Sequence, residues 1–240
     1  MLKYTIPDKT VWSDSDPFKT MDEFDTDFFR EHYNKRMSKE QPVIPKGQCT
    51  INAYDKILIQ PIVDMPSPKR LLDIGCGNGR VSLYMVINGI IDNLVGIDMS
   101  DIMIEYATET AMLYETLSDK VVFIRSTIED FPREQQFNVI YANEVIEHIF
   151  NLRDVLVKIS SWLTDDGIFC GATPYLNTCD SAPVHFHYFT VEDLSDLLSD
   201  FFDVVEVRKL NIYDFVGNTK DRKEYHLVFK CMKPKRRQEG

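Results

Sequence analysis

With 240 residues, 44% of them hydrophobic, the chain is long enough for one large α/β domain with a full core. Its formal net charge of −11 argues against a broad electrostatic surface for nucleic acid or an anionic membrane and leaves room only for a local basic groove. Five scattered cysteines without a C-x-x-C pair indicate neither a disulfide framework nor a cysteine zinc site, and they fit reduced thiols in the cytosol. The start of the chain has no apolar signal region, and no apolar run approaches 18 residues, so we expect a cytoplasmic protein that does not span a membrane.

Residues 1–66 are predicted to form an N-terminal helical extension. Phe24 and Phe28 lie four apart, and Tyr33 continues the same face, which predicts a helix. That helix either packs on the domain or closes as a lid over the substrate. Prolines and a glycine then interrupt the chain before a second predicted helix over 52–64.

The main domain is predicted over 67–233, where short β-rich runs alternate with longer helical stretches. Five strands separated by crossovers imply a parallel sheet with right-handed connections and helices on both faces. The last two runs are joined by a loop with the turn signal Gly217-Asn218, so the final strand is expected to pair antiparallel with its predecessor. Residues 234–240 are expected to form a solvated basic tail. The predicted strands are 70–75, 94–98, 121–125, 137–142, 167–173, 203–209 and 224–231, and the predicted helices are 78–89, 101–117, 151–163 and 191–200.

A glycine-rich turn follows the first of these strands. Alternate glycines let the backbone approach a ligand closely at the carboxyl end of a parallel strand, which is a common position for nucleotide-like ligands. The spacing G-x-G-x-G differs from the dinucleotide-binding G-x-G-x-x-G and lacks the G-K-[ST] ending of a phosphate-binding loop. Asp73, just before the turn, would repel phosphate but would suit an ammonium or sulfonium group. The turn therefore favours a cationic cofactor.

A second carboxylate, Asp98, ends the next apolar strand 19 residues after Gly79. A carboxylate in this position can accept hydrogen bonds from both ribose hydroxyls. It could instead cap the helix that follows, but Ser100 can fill that role, so we interpret Asp98 as a ribose ligand. Met99 either lies against the adenine face or packs in the core.

Five motifs in this chain occur in the order and spacing of one known family. The chain resembles the class I S-adenosylmethionine-dependent methyltransferases over about 70–232. The motifs are L-D-I-G-C-G-N-G (72–79), V-G-I-D-M-S (95–100), S-T-I-E-D-F-P (126–132), F-N-V-I-Y-A-N-E-V-I-E-H-I (137–149) and G-I-F-C-G-A-T-P (167–174).

This resemblance implies a doubly wound seven-stranded α/β sheet in the order 3-2-1-4-5-7-6, with strand 7 antiparallel. It also implies that S-adenosylmethionine is the cofactor. The backbone of Gly75 and Gly77 would lie near its methionine portion, Asp98 on its ribose, the Ile128 amide on its adenine and Asn143 beside its amino group.

Two residues depart from the family pattern. Many relatives have Asp where Thr127 stands, to accept from the adenine amino group; a hydroxyl can still accept, with less charge assistance. Asn138 replaces the usual Asp after Phe137. The adenine contacts are therefore less well defined than the ribose contact.

Glutamates and histidines are predicted on the acceptor side, where methyl transfer to oxygen requires removal of a proton. Histidine has a pKa suited to a base near neutral pH, so His148 and His185 are the candidate catalytic bases. Alternatively these segments serve only loop structure, with Thr190 capping the following helix. A third interpretation, not favoured, is a divalent metal bound by Glu144, Glu147, His148 and His185.

The predicted function is S-adenosylmethionine-dependent O-methylation of a small hydroxylated metabolite such as a sugar, a phenol or a biosynthetic intermediate. Within the family, the chain resembles the ubiquinone-pathway O-methyltransferases, and its E-x-x-E-H segment is also similar to small-RNA 2′-O-methyltransferases. The alternatives are N-methylation, metal-dependent RNA 2′-O-methylation, and a catalytically silent binding protein. A small-molecule acceptor is the expected partner; the acidic charge disfavours nucleic acid, and no membrane is expected.

Overall fold

The computed structural model describes residue 34 and residues 43–132, 136–176, 185–215 and 223–236. The helix predicted around Phe24 to Tyr33, and with it the proposed lid, lies outside the described residues. Among the described residues, no helix combines the length and the apolar character needed to cross a membrane. The described cysteines, at positions 49, 76, 170 and 231, are all free thiols.

One seven-stranded sheet forms the centre of the molecule, in the order β3-β2-β1-β4-β5-β7-β6. Neighbours from β3 to β5 run parallel, and β7 runs antiparallel to both β5 and β6. The predicted topology, including the reversed last strand, is therefore confirmed. The strands are β1 (Arg70–Ile74), β2 (Asn93–Asp98), β3 (Val121–Arg125), β4 (Phe137–Asn143), β5 (Leu163–Pro174), β6 (Phe202–Asn211) and β7 (Tyr225–Pro234).

Three of the α-helices begin at a side-chain N-cap. Ser100 accepts from the Met103 N–H, as predicted for an N-cap, and Thr190 forms a reciprocal capping box with Asp193. Asn52 and Asp55 form a second capping box at the first helix. The helices are α1 (Ala53–Val63), α2 (Arg80–Ile87), α3 (Asp101–Met112), α4 (Leu152–Trp162) and α5 (Val191–Ser199).

Two buried clusters cover the two faces of the sheet. On one face, α4 and α5 pack their apolar stripes against Ile140, Phe169 and Phe229. On the other face, Leu58 and Ile62 of α1 pack together with side chains of α2 and of the central strands. Helix α1 falls in the predicted N-terminal extension, yet it shares the core of the sheet.

Several element ends differ from the sequence predictions, two of them by four residues or more. The helix predicted over 101–117 ends at Met112, because Tyr114 adopts an extended φ of −121° and its hydroxyl accepts from the Gly47 N–H at 2.8 Å. Strand β5 begins at Leu163, four residues early, because a register shift in its pairing with β4 accommodates the extra residues. At the other end of the domain, Lys235 and Arg236 are exposed but anchored: Nη2 of Arg236 donates to the Leu163 carbonyl at 2.6 Å.

Candidate active site

The carboxyl ends of the parallel strands converge on one edge of the sheet, and most of the residues singled out from the sequence lie there. Strand β1 leads into the glycine turn, β2 ends at Asp98, and β4 ends at Asn143. Because β7 is antiparallel to β5, its first residues also reach this edge, with His226 opposite Pro174. The edge thus combines a turn suited to a cofactor with a group of titratable side chains.

The glycine turn adopts a backbone that only glycine takes without strain. Gly75, Gly77 and Gly79 have φ values of +66°, +53° and +74°. A Cβ on Gly75 would lie 2.4 Å from a methyl carbon of Val145, so the packing of the next motif also requires glycine. The helix predicted to begin near Asn78 begins at Arg80, with Gly79 in the left-handed conformation before it.

Asp98 is hydrogen-bonded both to this turn and to the N-cap residue of the helix that follows it. Its Oδ2 accepts from the Gly77 N–H at 2.9 Å, and its Oδ1 accepts from the Ser100 N–H at 2.8 Å. The carboxyl is 4% exposed, and burial raises its pKa. Each oxygen keeps one lone pair, so the side chain can still accept two hydroxyl donors.

Asp73 is the second buried carboxyl of the turn. Burial raises its pKa to about 7, and Asp98 adds to the rise, while a hydrogen bond from Ser82 opposes it. A cation placed against Asp73 would favour its ionised form. The placement of Asp73 against the cationic group of the cofactor stays a prediction.

Asn143 supplies the clearest test of whether an S-adenosylmethionine-like ligand fits. Its Oδ1 is buried and has no hydrogen-bond partner among the described residues, a situation that is unfavourable unless a ligand donates to it. The Asn143 oxygen on β4 and the Asp73 carboxyl on the neighbouring strand β1 can together accept from an ammonium group. The remaining lone pairs of Asp98 can accept from the hydroxyls of a ribose. The residues present fit the cofactor.

The adenine side is less complete. Ile128 is 5% exposed, and Met99 is half-buried beside Asp98. The Thr127 hydroxyl donates to Asp130 at 3.0 Å and also accepts from the Asp130 N–H. Its assignment to the adenine amino group stays a prediction, as does the stacking of Met99.

A cluster on the acceptor side brings together Glu147, His148 and His185. One ligand atom from each lies within 4.8 Å of the others, so this group could hold a divalent ion. Glu147 is 1% exposed and accepts from the Thr173 hydroxyl at 2.9 Å. The two imidazole rings meet edge to face, with their centroids 4.7 Å apart. Glu144, the fourth predicted metal candidate, lies outside this group.

In two residues of this cluster the pKa is shifted in the direction that favours the neutral form. Burial and the nearby Glu144 raise the pKa of Glu147 well above its usual range. Burial and His148 lower the pKa of His185 to about 4. His185 is therefore neutral near pH 7 and only a weak base in this environment.

Sequence reasoning missed two residues of the site, Tyr54 and His226. The Tyr54 hydroxyl lies 3.0 Å from Nδ1 of His226, and Oε1 of Glu144 lies 3.0 Å from the same nitrogen. Tyr54 and His226 are 172 positions apart, and no local motif marks either residue. Only the pairing of β7 with β5 and the docking of α1 bring them together.

The sheet order, the glycine turn and the strand-end carboxylate define the α/β class that binds adenosyl cofactors at the carboxyl edge of its sheet. A family model described as a methyltransferase domain matches residues 67–226. The chain belongs to this family, the class I S-adenosylmethionine-dependent methyltransferases, and S-adenosylmethionine is the family's cofactor.

Relatives and solved structures agree with this placement. The ubiquinone biosynthesis O-methyltransferase of Rickettsia bellii is 30% identical over 103 residues, which is 42% of this chain and 40% of the relative. The mitochondrial ubiquinone biosynthesis O-methyltransferase of Schizosaccharomyces pombe is 32% identical over 42% of this chain and 36% of the relative. The chain therefore matches only about two fifths of the length of these curated relatives.

Among solved structures, phosphoethanolamine N-methyltransferase 2 of Haemonchus contortus in complex with S-adenosyl-L-methionine superposes with a TM-score of 0.63 and 16% identity. That match covers 90% of this chain and 58% of the other. A putative methyltransferase of Haloferax volcanii, solved with the Trm112 activator, gives a TM-score of 0.65 at 15% identity, covering 88% of this chain and 99% of the other. At these identities the likeness concerns the fold alone.

Proposed function

We propose that this chain transfers the methyl group of S-adenosylmethionine to a hydroxyl of a small metabolite, such as a sugar, a phenol or a biosynthetic intermediate. The observation that carries the proposal is the cluster of three titratable side chains on the acceptor side, Glu147 and His148 shortly after β4 together with His185. Transfer to a hydroxyl requires proton removal, and such groups meet that need. The partial similarity to ubiquinone biosynthesis O-methyltransferases supports oxygen as the receiving atom.

Each half of the site has a distinct task in this reaction. The bound cofactor supplies an electrophilic methyl group on a sulfonium. Asp98 would hold its ribose, while Asp73 and Asn143 would hold its amino group. His148 remains a candidate base, whereas the pKa of His185, lowered to about 4 by burial and by His148, leaves this second predicted base a weak one. The acceptor's oxygen must be held about 3 Å from the methyl group with water excluded, which can supply much of the rate.

A metal-dependent form of the same reaction is the second candidate, because Glu147, His148 and His185 converge as a ligand set would. A divalent ion there would bind the acceptor's oxygen and lower its pKa. N-methylation and a catalytically silent binding role remain alternatives. We also retain the cytoplasmic location as a prediction, which the free thiols support.

Cofactor binding is the first test. Isothermal titration of the full chain with S-adenosylhomocysteine should give a saturable one-site isotherm. Absence of heat up to millimolar cofactor would contradict the proposal at its first step.

Turnover is the second test. A panel of hydroxylated and amine acceptors, followed by release of S-adenosylhomocysteine, should give turnover only with hydroxyls. Parallel reactions with a chelator, and with Mg²⁺ or Mn²⁺ added back, separate metal-dependent from metal-free transfer. Turnover that is lost with the chelator and recovered with the ion supports the metal-dependent reaction. Turnover that the chelator does not change supports a metal-free reaction with a histidine base. Binding without turnover on any acceptor would favour the silent binding role.

A further inference from the structure

A lysine on the edge strand β6 lies against two tyrosine rings at the acceptor end of the sheet. Nζ of Lys209 is 3.4 Å from the centroid of the Tyr175 ring and 4.3 Å from the centroid of the Tyr225 ring. The two rings meet edge to face, with their centroids 6.5 Å apart. An ammonium is attracted to the negative face of an aromatic ring, so the two rings together favour one position of this cation. The three residues form the lysine–tyrosine cluster.

Three neighbouring strands build the lysine–tyrosine cluster at one edge of the sheet. Tyr175 directly follows β5, and its N–H donates to the Tyr225 carbonyl at 2.8 Å. Lys209 lies near the end of β6, and Tyr225 is the first residue of β7. Because β7 is antiparallel to both β5 and β6, all three residues lie at the carboxyl end of β5. Tyr175 and Val207 pack on the core of α4 and α5, and Lys209, two residues after Val207, shares that face.

The lysine–tyrosine cluster adjoins the titratable side chains of the acceptor side. Thr173, which donates to the Glu147 carboxylate at 2.9 Å, precedes Tyr175 by two residues on the same face of the chain. Two residues of a strand advance by about 7 Å. Phe189, which follows His185 by four residues, forms a β-bridge with Tyr175. A small acceptor with its hydroxyl at the titratable side chains can therefore extend toward the lysine.

Lys209 differs from other lysines of the sheet in having no carboxylate partner among the described residues. Nζ of Lys230, on the adjacent strand, lies 3.2 Å from Glu206. Glu224 immediately precedes Tyr225 in the chain, but its carboxylate lies 3.4 Å from Nε2 of His226. The tyrosine rings attract the ammonium without neutralising it. Charges more than about 8 Å apart are largely screened at physiological ionic strength, so a group bound at Lys209 responds to this local cation more than to the net charge of the chain.

We propose that the lysine–tyrosine cluster binds an anionic group of the methyl acceptor, which makes the acceptor a hydroxylated carboxylic acid or phosphate ester. The inference rests on the proposed O-methylation and narrows its substrate class. Lysine is a compact point charge without the planar fork of arginine, so it suits a carboxylate or a phosphate equally. The Lys209 side chain is exposed, so the anion can reach Nζ from the side that the rings do not cover. Bound there, the anion would keep the acceptor's hydroxyl at the titratable side chains.

Matched probes test this binding without turnover. In the full chain saturated with S-adenosylhomocysteine, isothermal titration compares 3-hydroxybenzoate with 3-hydroxybenzamide, which have nearly the same shape but differ in charge. A second pair is ribose 5-phosphate and ribose. The wild type should bind the acidic member of one pair about 10-fold more tightly, because a contact between charged groups gains this much at a partly screened site. The pair that shows the preference distinguishes a carboxylate from a phosphate, and added salt should reduce the preference.

Substitutions of the lysine should change the preference between the two probes of a pair. Lys209→Met should bring their affinities within about twofold of each other. Lys209→Arg should restore the preference, since arginine keeps the charge and also stacks on aromatic rings. Lys230→Met is the matched control, because it removes a lysine of the adjacent strand that is already paired with Glu206, and it should keep the wild-type preference. A purely structural role of Lys209 would lower the unfolding temperature of Lys209→Met and leave the ratio of the two affinities unchanged.

The same pairs are then compared as methyl acceptors. In Lys209→Met, KM for the acidic member should rise about 10-fold while kcat changes less, because the contact is remote from the reacting oxygen. Equal binding of acidic and neutral probes by the wild type, absence of binding by every probe, or a preference that survives Lys209→Met would overturn the inference. If the wild type methylates no hydroxyl while its preference for the acid depends on Lys209, the proposed function fails and the anion site stands. If the wild type methylates only neutral hydroxyls, the inference alone fails.

Discussion

At the scale of single residues, the cofactor side is built from buried polar groups that still have bonding capacity. Each carboxylate oxygen of Asp98 accepts from one backbone N–H and has a second lone pair available. Asn143 has a buried side-chain oxygen with no hydrogen-bond partner among the described residues. Burying such groups is costly unless they are bonded. A ligand that satisfies them all should therefore stabilise the protein as well as bind to it.

Asp98→Ala should weaken the binding of S-adenosylhomocysteine by about 1.5–3 kcal/mol, since it removes charge-assisted acceptors for the ribose. The measurement is isothermal titration, with thermal unfolding alongside because the same carboxylate supports the Gly77 and Ser100 amides. Asp101→Ala, which removes an exposed carboxylate three residues later, serves as the control. Wild-type affinity in Asp98→Ala would refute the ribose assignment.

Two buried tyrosines offer a contrast in stability. The Tyr141 hydroxyl is buried without a hydrogen-bond partner among the described residues, whereas the Tyr54 hydroxyl meets His226. Tyr141→Phe should leave the free energy of unfolding unchanged or raise it by about 1 kcal/mol, and Tyr54→Phe should lower it by about 1 kcal/mol. Urea unfolding of both variants gives the comparison. A clear loss of stability in Tyr141→Phe would mean that the hydroxyl has a partner, such as a buried water.

At the scale of elements, the first turn of α1 joins the two halves of the site. Tyr54 reaches His226 on the acceptor side. The adjacent Asp55 forms a two-pronged contact with Arg80, with N···O distances of 2.6 and 3.2 Å. Arg80 is the first residue of α2, directly after the glycine turn. The helix that the sequence places in an N-terminal extension is thus part of the active-site framework.

Asp55→Asn should therefore loosen α1 and the glycine turn together. Asp55 is almost completely buried while Arg80 is 40% exposed, so we expect a loss of about 2 kcal/mol, less than for a fully buried pair. Hydrogen exchange should accelerate in both 53–63 and 75–83, and cofactor affinity should fall. Asp64→Asn, at the exposed end of the same helix, is the control. Faster exchange confined to α1 would show that the turn does not depend on this contact.

The part of the site that could be predicted from the sequence is the part encoded locally. The glycine turn, the carboxylate that ends β2 and the Ser100 cap each depend on neighbours within a few residues. The Tyr54–His226 contact depends on the register between β5 and β7 and on where α1 docks, neither of which leaves a periodic signal. Thr127 is a different case: its hydroxyl bonds Asp130, three residues further on in the same motif, a local contact that the sequence prediction did not include.

At the scale of the whole molecule, the net charge of −11 and the buried carboxyls act in the same direction as pH rises. Burial raises the pKa of Asp73, Asp98 and Glu147 in the folded chain. An acid with a raised pKa binds its proton more tightly when folded than when unfolded, so stability falls as pH rises through the window between the two values. The cofactor-free protein should therefore lose stability from about pH 4 upward, and growing self-repulsion should add to the loss.

Asp73 defines this pH window most clearly, because the pKa of an aspartate is ordinarily 3.8 and the pKa of Asp73 in the folded chain is about 7. At about 1.4 kcal/mol per pKa unit, ionising it costs the cofactor-free fold about 4 kcal/mol once the pH exceeds 7. Urea unfolding should show that Asp73→Asn matches the wild type near pH 4 and is more stable than the wild type above pH 7. Asp166→Asn, which changes an exposed carboxylate, should follow the wild type.

Binding of S-adenosylhomocysteine near pH 6.5 should release a proton, because the ammonium group of the ligand favours the ionised form of Asp73. Calorimetric titration in buffers of different ionisation enthalpy detects this proton. Equal proton release in Asp73→Asn would assign the proton to another group and remove Asp73 from the cofactor's cationic site.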